Sequence, residues 1–212
     1  MYKVVGIATT GNRKKQLKRV VNILAPQVDS IHIYDNSRNK DLTDLGKFLY
    51  VDMFSEPVYY FSCDDDLWYP LDYIQKTIEQ IEKHKCIISW HGRILKDRDK
   101  YYGSDHEGIR FWQGVNEPKQ LDVSGTGVTG FRTDYFKPDI SREPYKRMAD
   151  LVFSLEAWKQ GKKIITPPKK LDWITEMKVE SSIFSTERKG TQENQVKLMK
   201  QILKLKNHER QV

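Results

Sequence analysis

Three aspartates in a row, Asp64-Asp65-Asp66, follow the apolar run Val58-Tyr59-Tyr60-Phe61-Ser62-Cys63. Adjacent carboxylates at the end of a buried strand repel one another unless a cation or hydrogen-bond donors compensate them. A hard cation such as Mg²⁺ or Mn²⁺ answers that need, because it binds through one or two carboxylates and completes its shell with substrate phosphate oxygens. Capping the helix expected after Pro70 is the plainer use of such residues, but it employs one aspartate and leaves two. The cluster therefore reads as a site for a metal and a phosphorylated substrate.

The elements that must hold this cluster follow from periodicity. Lys3–Ala8 is a short β-branched run ending in Thr9-Thr10-Gly11, and Leu17, Val20, Val21 and Leu24 then recur on one helical face, closed by Pro26. Ile31–Tyr34 predicts a second strand, Leu42–Leu49 a short helix, and Val58–Ser62 a third strand. Pro70 suits the first turn of a helix whose buried face is Ile74, Ile78 and Ile81, and Cys86–Trp90 predicts a fourth strand. This β-α-β-(α)-β-α-β order predicts a mainly parallel α/β sheet, in which ligands gather at the carboxyl ends of the strands. Thr9, Asp35 and the aspartates all stand at such ends. Beyond Trp90 the pattern loosens, with a hairpin expected around Lys96–Lys100. Leu121–Val123 and Val128–Phe131 flank Ser124-Gly125-Thr126-Gly127 and read as strand–turn–strand. Met148–Gln160 predicts a helix with Leu151, Leu155 and Trp158 on one face, Lys163–Thr166 a strand, and Leu171–Ile174 a last strand-like piece. Gln192–Lys206 predicts an amphipathic helix, Val196, Met199 and Leu203 inward and Lys197, Lys200 and Lys204 outward. Cys63 and Cys86, with no CxxC and no histidine at ligand spacing, read as buried free thiols, and His91 as an interior or surface histidine.

Asp64-x-Asp66 followed by Tyr69-Pro70 resembles the signature of the family 2 glycosyltransferases, in particular the small stand-alone bacterial or phage type. There a D-x-D motif ends a strand and a Tyr-Pro and a helix commonly follow. The resemblance extends over residues 1–175 and implies a GT-A fold, a three-layer α/β/α, Rossmann-like, mainly parallel sheet. Residues 1–90 would form the nucleotide-sugar half and 91–175 the acceptor half, leaving 176–212 as a basic tail with the amphipathic helix. The resemblance also implies a nucleotide-sugar donor, usually a UDP-sugar, with Mn²⁺ or Mg²⁺ joining its diphosphate to Asp66. Asp64 would contact ribose or share the metal, with Asp65 beside them in the donor site. Thr9-Thr10-Gly11-Asn12-Arg13 looks like the first nucleotide-binding loop, with Thr9 near the base, Thr10 beside it in the donor site and Arg13 toward the diphosphate. An exposed helix-start residue is the equal alternative for Arg13. Tyr34-Asp35-Asn36-Ser37 stands where the family has D-D-G-S. Asn36 and Ser37 replace Asp-Gly, so only Asp35 carries the implied contact to uracil.

Met148-Ala149-Asp150-Leu151, after the glycine loop at 124–127, resembles the helix start that bears the family's general base. Ala149 replaces the acid that often precedes it, and Asp150 matches the base, whose task is to take the acceptor's proton as the new bond forms. The implied reaction is a single displacement with inversion at the anomeric carbon. Neither the Q-x-x-R-W motif nor the membrane helices of processive synthases are present in this sequence, which points to one sugar per acceptor.

Charge bounds the partners. The net charge is +7, with Arg13, Lys14, Lys15, Lys18 and Arg19 clustered near the start and a second basic stretch at residues 187–212. Such surfaces attract phosphates on a nucleotide, a nucleic acid or an anionic membrane. The acceptor is expected to be either a modified DNA base, hydroxymethyl-pyrimidine, or a surface or lipid-linked glycan. A non-catalytic nucleic-acid-binding module is the rival from another class, and it leaves three carboxylates facing a phosphate backbone that they would repel. No P-loop or dinucleotide glycine motif occurs. No apolar run approaches the roughly 20 residues of a membrane span, and no secretory leader is evident, so a cytoplasmic location is expected. Nothing in the sequence sets the oligomeric state.

Overall fold

The computed structural model of the chain describes residues 1–139, 147–178 and 192–209. In chain order the regular elements are β1 (Tyr2–Thr9), α1 (Lys14–Leu24), β2 (Ser30–Asp35), β3 (Val58–Cys63), β4 (Leu67–Trp68), α2 (Tyr73–His84), β5 (Ile87–Ser89), β6 (Gly92–Ile94), β7 (Glu107–Ile109), β8 (Lys119–Leu121), β9 (Val123–Ser124), β10 (Val128–Arg132), α3 (Ala149–Lys159), β11 (Ile164–Thr166), β12 (Thr175–Glu176) and α4 (Glu193–Glu209). Seven strands form the central sheet in the order β2-β1-β3-β10-β5-β11-β8. β1, β2, β3, β5 and β11 run parallel, while β10 and β8 are antiparallel to their neighbours. The expected mainly parallel α/β sheet is present, as a mixed one.

Side chains alternate across this sheet. Val5, Ile7, Phe61, Cys63 and Ile88 face α1 and α2, joined by Val20, Leu24, Ile74 and Ile81. Val4, Tyr60, Ile87, Phe131 and Ile164 face the other layer, built from residues 43–53, α3 and α4. Three layers result, with apolar strands covered on both sides, as parallel sheets require. Cys63 and Cys86 are buried free thiols.

Several local expectations are corrected. The strand–turn–strand expected around residues 124–127 is present, and its two strands join different sheets: β9 pairs with β6, while β10 inserts between β3 and β5. β10 is buried along most of its length, so it needs a sheet neighbour on each side, which a two-stranded turn cannot supply. The helix expected at Leu42–Leu49 is a tighter 3₁₀ turn, Thr43–Phe48. Gly46 permits it, since a Cβ there would lie 2.3 Å from the Tyr34 ring. α2 begins at Tyr73, and Pro70 stands before it, its carbonyl accepting from the Tyr73 N–H at 3.1 Å. Leu171–Ile174 is a turn with Asp172 at φ 54°, a left-handed conformation that a strand does not accommodate, and β12 follows it instead. The hairpin in the 91–118 region is present as β6 and β7, wider than expected.

α3 has no polar face: Ala149 and Leu151–Trp158 are all buried. The cause is α4, which lays Leu198, Met199 and Ile202 into the same core and leaves Lys197, Lys200 and Lys204 exposed. Lys206 turns inward, where its ammonium pairs with Asp122 at 2.6 Å. Among the described residues no helix is long and apolar enough to cross a membrane.

Candidate active site at the carboxyl edge of the sheet

β1, β2 and β3 end side by side, with Thr9 opposite Asp35 and Ile7 opposite Cys63. The chain leaves β3 straight into Asp64. Antiparallel β10 starts at the same edge, so the loop at residues 124–127 lies directly beside the aspartates. Buried hydroxyls fasten that loop: Ser62 donates to the Thr126 carbonyl at 2.5 Å and Thr129 to the Gly125 carbonyl at 2.9 Å. Tyr69 ties the two strand ends together, accepting from the Asp64 N–H at 2.8 Å and donating to the Gly127 carbonyl at 2.6 Å.

The three aspartates are not equivalent. Asp65 is buried and uses both carboxylate oxygens, accepting from the Thr9 hydroxyl at 2.6 Å and from Arg13 at 2.8 Å. Asp66 accepts from the same Arg13 nitrogen at 2.6 Å through Oδ2 only. Asp64 is paired through Oδ1 with the ammonium of Lys47. Asp64 Oδ2 and Asp66 Oδ1 accept no hydrogen bond among the described residues. Each flanking aspartate is thus held by one oxygen and offers the other, while the middle one only organises the loop.

A fourth carboxylate joins them. Asp150, in the first turn of α3, accepts both the Thr126 N–H and the Thr126 hydroxyl at 2.8 Å on its Oδ1. Its Oδ2 accepts no hydrogen bond among the described residues. Asp44 stands behind it and accepts from the Ala149 N–H at 3.1 Å through Oδ2.

Lys47 links the groups. Its side chain is 2% exposed, against 42% for Asp64. Burial opposes its charge, but Asp64, Asp44 and Asp150 together outweigh burial and hold the ammonium well above its usual range. Arg13 is likewise opposed by burial and raised by Asp65 and Asp66. Among the described residues, five carboxylates (Asp44, Asp64, Asp65, Asp66, Asp150) face three cations (Arg13, Lys47, Arg93). Asp66 is pushed up to about 6, first by burial and then by the charge of Asp64, against the pull of Arg13.

The other residues singled out in the sequence lie nearby with local roles. Thr10 is exposed and its hydroxyl donates to Asn12. Asp35 accepts the Ser37 N–H at 2.9 Å and the Ser37 hydroxyl at 2.6 Å, which lower its carboxyl. Asn36 braces the loop, donating to the Thr9 and Thr43 carbonyls at 3.1 and 2.9 Å. His91 packs its ring against Gly125 and is held neutral, pushed down to about 3 by burial and by Arg93, Arg110 and Lys169. Arg93 itself is buried and donates to the Tyr101 hydroxyl at 2.6 Å.

Sequence reasoning missed Lys47, Asp44, Arg93 and the two Thr126 donors. One signal was present for Lys47: a lysine set inside the apolar stretch Leu45-Gly46-Lys47-Phe48-Leu49. Such a lysine is buried only when paired.

No family model matches the chain. No curated protein matches it either. Among solved structures, A197 from STIV is similar at 13% identity, over 86% of this chain and 97% of that chain, with a TM-score of 0.45.

Proposed function

We propose that this chain is a metal-dependent, inverting glycosyltransferase that moves one sugar from a nucleotide-sugar, a UDP-sugar, to an acceptor hydroxyl. The observation that carries the reading is the shared geometry of Asp64, Asp66 and Asp150. All three stand at the carboxyl edge of the sheet, each anchored through one oxygen with the other open.

Asp64 and Asp66 suit Mn²⁺ or Mg²⁺. Their donor set is all oxygen, and each has one carboxylate oxygen that accepts no hydrogen bond among the described residues, as a hard divalent ion requires. No group of three or more His, Cys, Asp or Glu side chains among the described residues forms a cage by itself. Two carboxylates completed by substrate phosphates is the arrangement such an ion accepts. When bound, the ion supplies positive charge to the diphosphate that leaves.

The chain's own groups account for the rest. Asp65 fixes Thr9 and Arg13, and Arg13 keeps Asp66 oriented. Thr9 and Asp35, paired at the ends of β1 and β2, would border the base and ribose of the donor. Asp150 Oδ2 takes the proton of the acceptor hydroxyl, whose oxygen attacks the anomeric carbon as the bond to the diphosphate oxygen breaks. The electron pair leaves with the nucleoside diphosphate, and the configuration at carbon inverts. Lys47 holds Asp64 in place, close enough to Asp150 for its charge to steady both.

The test is nucleotide release from a panel of UDP-sugars with Mn²⁺, with hydroxymethyl-pyrimidine DNA and with lipid-linked glycan as acceptors. Metal-dependent UDP release, raised by one acceptor that gains a hexose mass, is expected. No binding or turnover of any sugar nucleotide would sink the reading. Gly127 offers a sharper check within the loop. A Cβ at this position would lie 1.9 Å from Asp64 Oδ2 and 2.4 Å from its Cγ, so Gly127→Ala must displace the carboxylate. The expected outcome is Mn²⁺-dependent UDP affinity weakened about ten-fold or more, since a shift near 1 Å in such a site is costly. Calorimetric titration reads it, and unchanged affinity would remove Asp64 from the donor site.

A further inference from the structure

Beside the site runs a rim that sugar transfer does not use. Four large apolar side chains are exposed there: Trp68 at 42%, Leu71 at 81%, Trp112 at 40% and Leu171 at 69%. They belong to three segments that are bonded to one another. Trp68 pairs with Thr175 between β4 and β12, and Trp173 Nε1 donates to Asp72 at 3.1 Å. The Asp172 N–H donates to the Trp112 carbonyl at 2.7 Å, and Val115 and Lys169 exchange backbone hydrogen bonds of 2.9 Å. Leu71, Trp112 and Leu171 each sit in a turn. A leucine at the tip of a turn contributes nothing to the core, and large apolar side chains exposed on neighbouring segments mark a candidate interaction surface.

Cations are interleaved with these side chains. Arg19 lies over the Trp68 ring at 5.8 Å, Arg110 over Trp112 at 5.9 Å and Lys76 over Trp173 at 5.2 Å. Lys170 is exposed next to Leu171. Lys15 and Lys18 share a face of α1 with Arg19, three and four residues apart at most. Among the described residues the acids on the rim itself are Asp72, paired with Lys76 at 2.8 Å, Asp172 and Glu176, with the aspartate loop next to it.

We propose that this rim docks the protein on an anionic lipid bilayer. Tryptophans settle at headgroup level, leucines reach the acyl boundary, and arginines and lysines meet anionic headgroups. Leucine at the tips decides against the alternatives, because it stacks on neither a sugar ring nor a nucleobase. The rim also adjoins the aspartate loop, for Trp68 lies two residues beyond Asp66 and the Met177 N–H donates to the Asp66 carbonyl at 2.7 Å. A bilayer seated on it lies at the mouth of the site and presents membrane-borne acceptors there.

The experiment is sedimentation of the whole chain with phosphatidylcholine vesicles, with and without phosphatidylglycerol, alongside tryptophan emission. Binding to the anionic vesicles with a blue shift, weakened by salt, is expected. The double variant Leu71→Ser/Leu171→Ser lowers the partition constant about ten-fold or more, and Lys15→Glu/Arg19→Glu lowers it and flattens the salt dependence. Melting curves of both variants match the parent, as the residues are outside the core. Absence of vesicle binding, or binding that the leucine variant leaves unchanged, overturns the proposal. So does single-stranded DNA or soluble glycan that binds the rim, displaces vesicles and is lost in the same variant. None of these readouts depends on sugar transfer, so failure here and failure of the enzymatic reading are distinguishable.

Discussion

On the proposed reading, Asp150→Asn is expected to lower the transfer rate about 10²–10⁴-fold while leaving the fold and donor affinity in place. The substitution is clean for a geometric reason. Asp150 Oδ1 accepts the Thr126 N–H and hydroxyl, and an asparagine carbonyl can accept both in the same geometry, though more weakly than a carboxylate. What changes is the other position, where an amide nitrogen replaces the oxygen able to take a proton. The effect therefore falls on kcat, with the melting temperature and the KM for the UDP-sugar close to those of the parent. Steady-state kinetics with saturating Mn²⁺ reads this split. A variant that keeps transfer within about ten-fold of the parent assigns the proton to another group. An equal loss of thermal stability would instead make Asp150 an anchor for the 124–127 loop.

Lys47→Met has the second large effect, on stability as well as on the site. The methionine fills a similar volume but leaves Asp64 and Asp44 without their shared cation. Removing one partner of a buried pair costs about 3–5 kcal/mol, and the exposure of Asp64 places this pair toward the lower end. A loss near 3 kcal/mol lowers the melting midpoint by about 6–12 °C for a chain of this size. Circular dichroism checks the midpoint, and added Mn²⁺ with UDP recovers part of the loss if the ion relieves the unpaired carboxylates. An unchanged midpoint would show that Lys47 contributes little to holding these acids.

Both residues illustrate how the site was distributed between sequence and fold. The place of Asp150 in the first turn of a helix was legible because that helix's apolar residues recur plainly after a glycine loop, while its proposed part as a base came from the resemblance alone. Lys47 was not, because its function lies in partners far away in the chain: Asp64 and Asp150 reach it only once β3 and α3 are packed. The 124–127 loop shows the same division. Its composition announced a turn, yet pairing of β10 with β3 and β5 depends on which strands have open edges, and no local pattern records that.

By itself the sequence determined the alternation of strands and helices, the apolar faces of α1, α2 and α4, and the ending of β3 in three carboxylates. These follow from side-chain periodicity and from short-range sterics, which act within a few residues. Only the tertiary structure decided which aspartate does what. Asp65 closes on Thr9 and Arg13, whereas Asp64 and Asp66 each keep an open oxygen. The aspartates are identical in type and adjacent in the chain. What separates them is the position of donors brought in by β1, by Arg13 ahead of α1 and by the turn at 43–48, and long-range packing alone sets those positions.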